Sequence, residues 1–312
     1  MICKAELKTE REGTIMDIRE LQYFLEIARE QNITRAAEKL HISQPPLSRQ
    51  MHSLEEELGV QLFIRGKRKI TLTPEGIFLK ERAQQLVELS QKTKQQIQEV
   101  GNTIDGMLYI GSVESLASGM MPEWIRSFHE AYPKIRFNWS SGNSDDVLVR
   151  LDKGVIDVAV VRAPCNDEKF VCISLGREPW AAFFNRKHPL MQEPELEIEL
   201  CKLDKEPLII PARKNREREI AGWFHKRGCE ANICYQISPV LNAISLVEYN
   251  MGVAVLPEST GDYAAQRGIS MKRIIDPVME SEILLAYRKD AFLPEAANQF
   301  IRFICGRKNA DS

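Results

Sequence analysis

Residues 32–76 have the sequence NITRAAEKLHISQPPLSRQMHSLEEELGVQLFIRGKRKITLTPEG, and their pattern predicts two helices followed by a β-hairpin. Thr34 is the expected N-cap of the first helix. The second helix is expected to begin after Ser43 and to end at Gly59, with prolines in its first turn, where the missing N–H groups cost nothing. Because only residues 41–43 separate the two helices, the stretch has the spacing of a helix-turn-helix.

The second of these helices presents two different faces. Apolar residues at helical spacing form a stripe that is expected to be buried: Leu47, Met51, Leu54 and Leu58. The opposite side carries the residues that can contact DNA: Gln44, Pro45, Pro46, Ser48, Arg49 and His52. Gln44 can pair with adenine, Arg49 can pair with guanine or a phosphate, and the prolines can touch a thymine methyl group. Thr34 is a further DNA-contact candidate, whereas His52 is equally well explained as an inert surface residue.

A hairpin is expected directly after the helix-turn-helix. Its strands are residues 60–64 and 70–72, and its turn holds four basic side chains in five residues: Arg65, Lys67, Arg68 and Lys69. Such a charge run is often no more than a solvated hairpin tip. Its place after a helix-turn-helix favours a wing that contacts phosphates or the minor groove of DNA.

A long helix is expected from Pro74, capped by Thr73, to about residue 103. Its apolar residues form a thin seam in a helix otherwise rich in Gln, Lys and Glu: Phe78, Leu79, Leu86, Leu89, Ile97 and Val100. A helix this polar does not bury itself within one chain, so contact with a helix of a second copy is the expected role. We therefore expect a dimerisation linker at 74–105 between a DNA-binding domain at 16–73 and a C-terminal domain at 106–312.

Strand and helix patterns alternate from residue 106 to the end, which indicates an α/β domain with a mostly parallel sheet. Strands are expected at 107–113, 135–140, 156–161, 180–184, 207–211, 235–238, 252–257 and 283–290, and helices at 119–131, 144–153, 216–227, 241–250 and 294–305. Two such sets, with a last strand that can return to the first set, predict two lobes and a cleft. Lobe I is expected at 106–178 and 282–312, and lobe II at 179–281.

The composition of the 312 residues narrows the class of protein. Hydrophobic residues make up 44% and charged residues 28%, which is typical of globular proteins and excludes disordered and fibrous chains. No apolar run approaches the ~18 residues that a membrane span needs, and the first residues lack the apolar core of a secretory signal. We expect a cytoplasmic protein in which residues 1–15 form a disordered extension.

Cysteine and histidine give no sign of a metal site. The seven cysteines and five histidines are scattered without metal-ligand spacing, and no C-x-x-C motif is present. Free thiols in a reducing compartment are therefore expected, and neither a metal nor another cofactor is. The net charge of −2 by itself neither favours nor excludes nucleic acid as a partner.

The stretch 32–76 strongly resembles the winged helix-turn-helix of the LysR-type transcriptional regulators. The positions that match the family's pattern are Ala36, Ala37, Leu40, Ser43, Gln44, Pro45, Leu47, Ser48, Leu54, Glu55, Leu58, Gly59, Leu62, Phe63, Arg65, Leu72, Thr73 and Gly76. Further matches in the C-terminal domain are IGSVES at 110–115, GVIDVAVV at 154–161, HPL at 188–190 and MGVAVLPES at 251–259. The resemblance therefore extends from residue 16 to the end of the chain.

This resemblance implies a two-lobed effector domain of the periplasmic-binding-protein-like α/β fold behind an all-α winged helix-turn-helix. It implies double-stranded DNA as a partner, bound at a dyad-symmetric operator by a homodimer or homotetramer. RNA polymerase is a further candidate partner, and no membrane is. The protein would be a bacterial transcriptional regulator and not an enzyme. Within the family it is most similar to regulators of aromatic-acid degradation, whose third helix also has the sequence QPPLSRQ.

A cleft between the lobes is the expected effector site, because ligands of parallel α/β sheets bind beyond the carboxyl ends of the strands. Ser115 follows the first strand of the domain, Ser144 follows the second, and Arg162 ends the third. Across the cleft, the loop from Pro211 to Arg216 follows a lobe II strand and brings more positive charge, and Pro211 and Arg213 are its candidate site residues. The resemblance implies an effector-binding role for the first three residues, and a small carboxylate is the expected effector.

Each of these residues has a plainer explanation. Ser115 could merely end its strand, Ser144 could only cap the next helix, and Arg162 could pair with Asp167 or Glu168. The two aspartates at 145–146 also weaken the positive charge that an anion would need.

Other functions fit parts of the sequence. An enzyme is not favoured, because a nucleophile motif and a Gly-rich phosphate loop are both missing. A solute-binding protein is not favoured, because it would not carry the N-terminal helices. A redox-sensing regulator of the same family would use Cys229 and Cys234, for which inert thiols are the alternative.

Overall fold

The computed structural model describes residues 16–66, 69–98, 106–117, 119–192, 194–213, 215–289 and 291–308. The chain divides into two compact units, Met1–Lys94 and Gln95–Ser312. The expected extension at 1–15, the centre of the basic turn and the predicted end of the long helix lie outside the described residues. Among the described residues, no helix combines the length and the apolar character that crossing a membrane requires.

The described part of the first unit consists of helices and a two-stranded hairpin. In chain order these elements are α1 (Ile18–Glu30), α2 (Ile33–Lys39), α3 (Gln44–Leu58), β1 (Phe63–Arg65), β2 (Ile70–Leu72) and α4 (Pro74–Gln98), whose last four residues belong to the second unit. The helices and the hairpin share one core, built from Leu21, Phe24, Ile27, Ala36, Ala37, Leu47, Met51, Leu54, Leu62, Phe63, Leu79, Ala83 and Val87. The small side chains in α2 are fully buried, which allows the neighbouring helices to approach closely.

Local capping decides where the helices begin and end. The Asn32 side chain accepts a hydrogen bond from the Arg35 amide at 3.1 Å, so α2 begins one residue after Asn32. The prediction that Thr34 caps this helix is therefore wrong, and Thr34 lies within the first turn. Ser43 is the N-cap residue of α3, and Gly59 ends it with a left-handed φ of 67°, as predicted.

The connection from α3 to the hairpin differs from the prediction in two ways. β1 begins at Phe63 and not at residue 60, because the Glu55 carboxylate accepts the amide protons of Leu62 and Phe63 at 2.7 and 3.2 Å. Leu58 is 39% exposed, so it does not continue the buried stripe, and the core passes from Leu54 to Leu62 instead. Glu55 thereby ties the hairpin to the last turns of α3.

Thr73 fixes the start of α4, as predicted. Its hydroxyl donates to the Gln61 carbonyl at 2.7 Å and accepts the Gly76 amide proton at 2.9 Å. Gly76 passes so close to the hairpin that an added Cβ would lie 2.2 Å from the carbonyl oxygen of Leu62. The backbone contact therefore requires glycine at this position.

The second unit contains a mixed sheet covered by helices. Its strands are β3 (Gly106–Val113), β4 (Ile135–Gly142), β5 (Val158–Arg162), β6 (Phe170–Asn185), β7 (Glu197–Glu199), β8 (Leu208–Pro211), β9 (Ile233–Ile237), β10 (Val253–Pro257), β11 (Ile269–Asp276) and β12 (Glu280–Arg288). Its helices are α5 (Met120–Ala131), α6 (Ser144–Asp152), α7 (Arg216–His225), α8 (Leu241–Glu248), α9 (Gly261–Gln266) and α10 (Glu295–Lys308). The strand order is β4-β3-β5-β12-β6-β10-β8-β9, and β11 pairs with β6 and β7.

The long strand β6 joins two lobes. Its first half pairs antiparallel with β12, up to Pro179 opposite Glu280. Its second half pairs with β10 and β11, beginning with Trp180 opposite Pro257. Lobe I contains the parallel strands β3, β4 and β5, and lobe II contains the parallel strands β8, β9 and β10. Separate apolar cores lie in the two lobes.

Three elements of lobe II were not predicted, namely β7, α9 and β11. β7 has three residues and α9 has six, which is too short for a periodic pattern to stand out. β11 has a buried lysine, Lys272, where an alternating strand would carry an apolar side chain. β6 also begins ten residues before the predicted strand at 180–184, because its first half belongs to lobe I.

The cysteines contradict the expectation of free thiols. Cys165 and Cys172 form one disulfide and Cys201 and Cys229 form another, with Cα atoms 6.8 and 5.8 Å apart. These separations suit disulfide bonds. The bonds could not be predicted from the spacing of the cysteines along the chain, because the folding of loops and of β6 brings the partners together. Cys229 is therefore bonded to Cys201, while Cys234 is exposed and outside any disulfide. The predicted redox pair of Cys229 and Cys234 is not formed.

Candidate functional site

The exposed face of α3 carries the predicted DNA-contacting side chains. Leu47, Met51 and Leu54 point into the core and are buried. The candidates lie on the other side of the helix, where they are exposed or half-buried: Gln44, Pro45, Pro46, Ser48, Arg49 and His52. Thr34 is exposed in the first turn of α2. The His52 ring lies 3.7 Å from the carboxylate of Glu56, a pairing that favours its role as a surface residue.

The basic hairpin turn is described in part. The Gly66 amide donates to the Lys69 carbonyl at 3.1 Å and closes the turn, and Lys69 is exposed. Lys67, Arg68 and the side chain of Arg65 lie outside what the structure describes. That the hairpin turn contacts DNA as a wing therefore remains a prediction. Its structural support among the four basic residues is the exposure of Lys69.

Helix α4 has a buried side and an apolar exposed side. Leu79, Ala83 and Val87 pack into the core of the first unit. Other apolar side chains of the same helix are exposed, with Leu86 at 41% and Ile97 at 69%. Phe78 and Leu89 are also exposed, and so is Ile77, which was not in the predicted seam. Exposed apolar side chains along one helix are typical of a surface that a partner covers.

In the second unit, the ends of three parallel strands bring the predicted effector residues together. Ser115 follows β3, Ser144 begins α6 after β4, and Arg162 ends β5. One Arg162 terminal nitrogen, Nη2, donates to the Ser115 hydroxyl at 2.8 Å, and the Arg162 amide donates to the Ser144 hydroxyl at 3.2 Å. All three residues are buried. Asn143 caps α6 through the Asp146 amide, so Ser144 is not the capping side chain.

Arg162 also connects lobe I to lobe II. Its Nη1 forms an ion pair with Glu178 of β6, and its Nη2 donates to the Ser259 hydroxyl beyond β10 at 3.0 Å. The Ser259 amide in turn donates to Glu178 at 2.7 Å. Burial lowers the pKa of Arg162, and the charge of Glu178 opposes that shift. The suggested pairing of Arg162 with Asp167 or Glu168 is therefore wrong.

The predicted loop after β8 reaches across the cleft. Arg213 Nε donates to the Asp145 carboxylate at 3.2 Å, and its two terminal nitrogens donate to the carbonyls of residues 162, 163 and 164 at 3.1–3.4 Å. All these acceptors belong to lobe I. Pro211 ends β8 and lines the same cleft. Arg213 thus holds the lobes together and has its guanidinium nitrogens engaged by the protein.

A second contact across the cleft involves Glu114, which was not predicted. Its Oε2 accepts the amide proton of Val240, at the start of α8, at 2.5 Å. Burial raises the pKa of Glu114, the bond from Val240 opposes that change, and the charge of Asp146 adds to it. Its position directly before the predicted site residue Ser115 was the sequence feature that could have identified Glu114 as a cleft residue.

Arg216 is a further residue of the cleft, at the end of the predicted basic loop but not among the predicted site residues. It begins α7, it is 7% exposed, and its Nη1 donates to Glu219 at 2.7 Å. Its guanidinium carbon lies 5.0 Å from the centre of the Trp180 ring. Its Nε is shielded from solvent and has no hydrogen-bond partner among the described residues. The sequence marked a basic loop here but not which of its residues would be buried.

These residues surround one cavity of about 60 Å³ between the lobes. Its polar part comes from serine and arginine side chains together with Glu114 and Asn143, and its apolar part comes from Val113, Trp180, Pro211, Ala212, Ile237, Val240 and Pro257. A concave site with an apolar wall and a few converging polar groups is the usual form of a small-molecule site.

Comparison with known proteins assigns a family model to each part of the chain. Residues 18–77 match the model described as the bacterial regulatory helix-turn-helix protein, lysR family, and residues 101–307 match the LysR substrate binding domain. The chain is 30% identical to the HTH-type transcriptional regulator BsdA of Bacillus subtilis, over 92% of this chain and 99% of BsdA. It is 30% identical to the HTH-type transcriptional regulator BenM of Acinetobacter baylyi, over 88% of this chain and 90% of BenM.

Solved structures share the fold. The full-length LysR family regulator CbnR in complex with its target DNA superposes with a TM-score of 0.74 at 24% identity, over 94% of this chain and all of that chain. The combination of a helix-turn-helix unit and a two-lobed α/β unit therefore recurs in a protein that binds DNA.

Proposed function

The chain belongs to the LysR family and is a DNA-binding transcriptional regulator with an effector-binding domain, and we propose that a small organic acid bound between lobes I and II controls its action on DNA. The observation that carries this proposal is the convergence of Ser115, Ser144 and Arg162 with the lobe II loop at Pro211 and Arg213 on one cavity. An acid that enters there changes contacts of both lobes, so its binding energy acts directly on their closure.

For DNA binding, we propose that α3 enters the major groove. Its exposed side chains supply base contacts from Gln44, the prolines and Arg49, with Ser48 donating to a base or phosphate. Thr34 and Lys69 are exposed beside it and contact phosphates. The other wing residues, Arg65, Lys67 and Arg68, are proposed for the same role from their place in the sequence.

We propose that α4 pairs with the same helix of a second copy, through its exposed apolar side chains. The dimer would present two α3 helices to a dyad-symmetric operator. We further propose that two such dimers can form a tetramer and that the DNA-bound protein contacts RNA polymerase. Because its DNA is the chromosome, the protein acts in the cytoplasm.

The test combines DNA binding with ligand binding on the full-length chain. DNA from upstream of neighbouring genes is expected to give a salt-sensitive gel shift, and an organic acid that raises thermal stability is expected to alter that shift. At about 100 times its dissociation constant, such an acid adds ~2.7 kcal/mol to the free energy of unfolding. Ser115→Ala and Ser144→Ala should lose this stabilisation, and equal stabilisation of both variants and the parent would place the site elsewhere.

A further inference from the structure

We propose that Arg216 is the residue that recognises the charge of the effector, and that the effector is a short-chain monocarboxylate. This inference rests on the proposed function, since it concerns the same cavity between the lobes. It assigns the recognition to a residue outside the predicted set and narrows the organic acids to one class.

The first step is that the other two arginines of the cleft already have protein partners. Arg162 places its terminal nitrogens on Glu178, Ser115 and Ser259. Arg213 donates from all three of its guanidinium nitrogens to lobe I oxygens. A carboxylate would have to displace these bonds in order to use either group.

Arg216 is different because one of its buried donors lacks a partner. Its Nη1 is bonded to Glu219, but Nε has neither solvent nor an acceptor among the described residues. A dry, unpaired donor costs free energy, and an acceptor that reaches it recovers that cost. In this structure Nε is shielded from solvent, so a ligand acceptor reaches it only when the cleft opens.

The surroundings hold this guanidinium in place. Trp180 is 1% exposed, and its ring lies under Arg216 and packs edge-on against Trp223 at 5.2 Å. The same Trp180, together with Ile237 and Val240, supplies part of the apolar wall of the cavity. The ligand that suits these neighbours has one carboxylate and a hydrocarbon part.

The charge of the cleft opposes a second negative charge on the ligand. Three arginines, at 162, 213 and 216, face four carboxylates, at 114, 145, 178 and 219, which gives 3 − 4 = −1 when all are ionised. Among the described residues that line the cleft, no further arginine is left for a second carboxylate on the ligand. Dicarboxylates are therefore expected to bind more weakly than monocarboxylates of the same length.

The size of the cavity favours a short chain. A water-sized group occupies roughly 10–15 Å³ of such a volume, and an apolar cavity of about 150 Å³ holds benzene. The volume of about 60 Å³ therefore suits an acid with the size of propionate better than an aromatic acid.

The experiment measures binding of propionate to the full-length protein by calorimetry. Malonate, the dianion of the same chain length, propionamide, the neutral isostere, and benzoate, the larger acid, are each expected to bind at least about tenfold more weakly. This series uses the unaltered chain, so it does not depend on how any variant folds. A stronger response to malonate, propionamide or benzoate overturns the proposed class.

The role of Arg216 is tested by two substitutions and a matched control. Arg216→Gln is expected to weaken propionate binding at least about tenfold, and Arg216→Lys, which keeps the charge without Nε–H, at least about fivefold. Arg218→Gln removes the same charge from an exposed position of the same helix and should change affinity less than about twofold. Unchanged propionate affinity in Arg216→Gln overturns the assignment.

The outcomes separate this inference from the proposed function. If a different acid of a wider panel binds and alters the gel shift, the organic-acid regulator stands and the monocarboxylate class fails. If no acid of the panel binds while the gel shift persists, the organic-acid effector itself fails, and this inference fails with it.

Discussion

The Nε of Arg213, in lobe II, donates to the carboxylate of Asp145, in lobe I, at 3.2 Å. The same guanidinium reaches three carbonyl oxygens at the end of β5 and just beyond it, in lobe I. A single side chain therefore joins the loop after β8 to two segments of the opposite lobe. Because this contact crosses the cleft, any ligand that widens the cleft has to break it or rearrange it.

Arg213→Met is expected to lower the free energy of unfolding by ~1–3 kcal/mol, since it keeps the packing of the stem and removes the charged donors. Urea denaturation measures this change, and hydrogen exchange at the amides of Arg162 and Ala163 should become faster. Arg218→Met is the control, because Arg218 is exposed on α7. Equal stability of Arg213→Met and Arg218→Met would show that the bonds from Arg213 to lobe I do not contribute to the free energy of unfolding.

Glu114 makes the stability depend on pH in a defined direction. Burial is the largest cause that raises the pKa of this carboxyl in the folded protein. A group whose folded pKa is raised binds its proton more tightly in the folded state, so stability falls as pH increases from the ordinary carboxyl pKa through the raised one. Glu114→Gln keeps an acceptor for Val240 and has no proton to lose.

The stability of Glu114→Gln relative to the parent is therefore expected to rise between about pH 4 and pH 7. Urea denaturation at both values measures the difference. Glu57→Gln, at an exposed position of α3, should show no such trend. A difference that stays constant or decreases with pH would contradict the assignment to Glu114.

Arg49 and Lys69 should behave differently in DNA binding. Arg49→Ala is expected to cost ~1–3 kcal/mol and to relax specificity at one base pair, because a bidentate contact to guanine is lost. Lys69→Ala should weaken all sequences alike and reduce the salt dependence, because only a phosphate contact is lost. Binding titrations at two salt concentrations separate the two effects, and a uniform loss in Arg49→Ala would assign it to the phosphates.

Leu86→Glu combined with Ile97→Glu should convert the protein to monomers of 35.7 kDa. Both side chains are exposed on α4, and buried charge at a helix pair disrupts apolar packing. Light scattering measures the mass. Gln84→Glu with Gln91→Glu adds the same charge at exposed polar positions of the same helix. A dimer mass retained by the first variant would place the interface elsewhere.

Glu55→Ala is expected to lower the free energy of unfolding by ~1–3 kcal/mol, because it leaves the amides of Leu62 and Phe63 without their acceptor. Glu55→Gln retains an acceptor oxygen and should lose less. Chemical denaturation measures both, with Glu57→Ala as the exposed control. A loss as large in Glu57→Ala would mean that the effect comes from helix α3 and not from the bonds to the hairpin.

Most of the DNA-binding unit could be predicted from its sequence. Helix starts and ends depend on residues a few positions apart, so a local sequence pattern is enough to predict them. Examples are the cap at Thr73, the prolines in the first turn of α3 and the end of α3 at Gly59. The same holds for Ser115, Ser144 and Arg162, because the carboxyl ends of parallel strands meet at one edge of a sheet. The local sequence pattern was enough to predict the DNA-binding unit, and the strand order was enough to predict that the three cleft residues lie together.

The pairing of charged groups across the cleft could not be predicted from the sequence, because it depends on how distant segments fold together. Arg162 pairs with Glu178 and not with the acidic residues that follow it. β12 lies between β5 and β6, and its pairing with both strands brings Glu178 close to the end of β5. The disulfide of Cys201 and Cys229 and the unpaired Nε of Arg216 have the same origin. Burial and pairing of a side chain depend on segments far away in the chain, and no local spacing records where those segments lie.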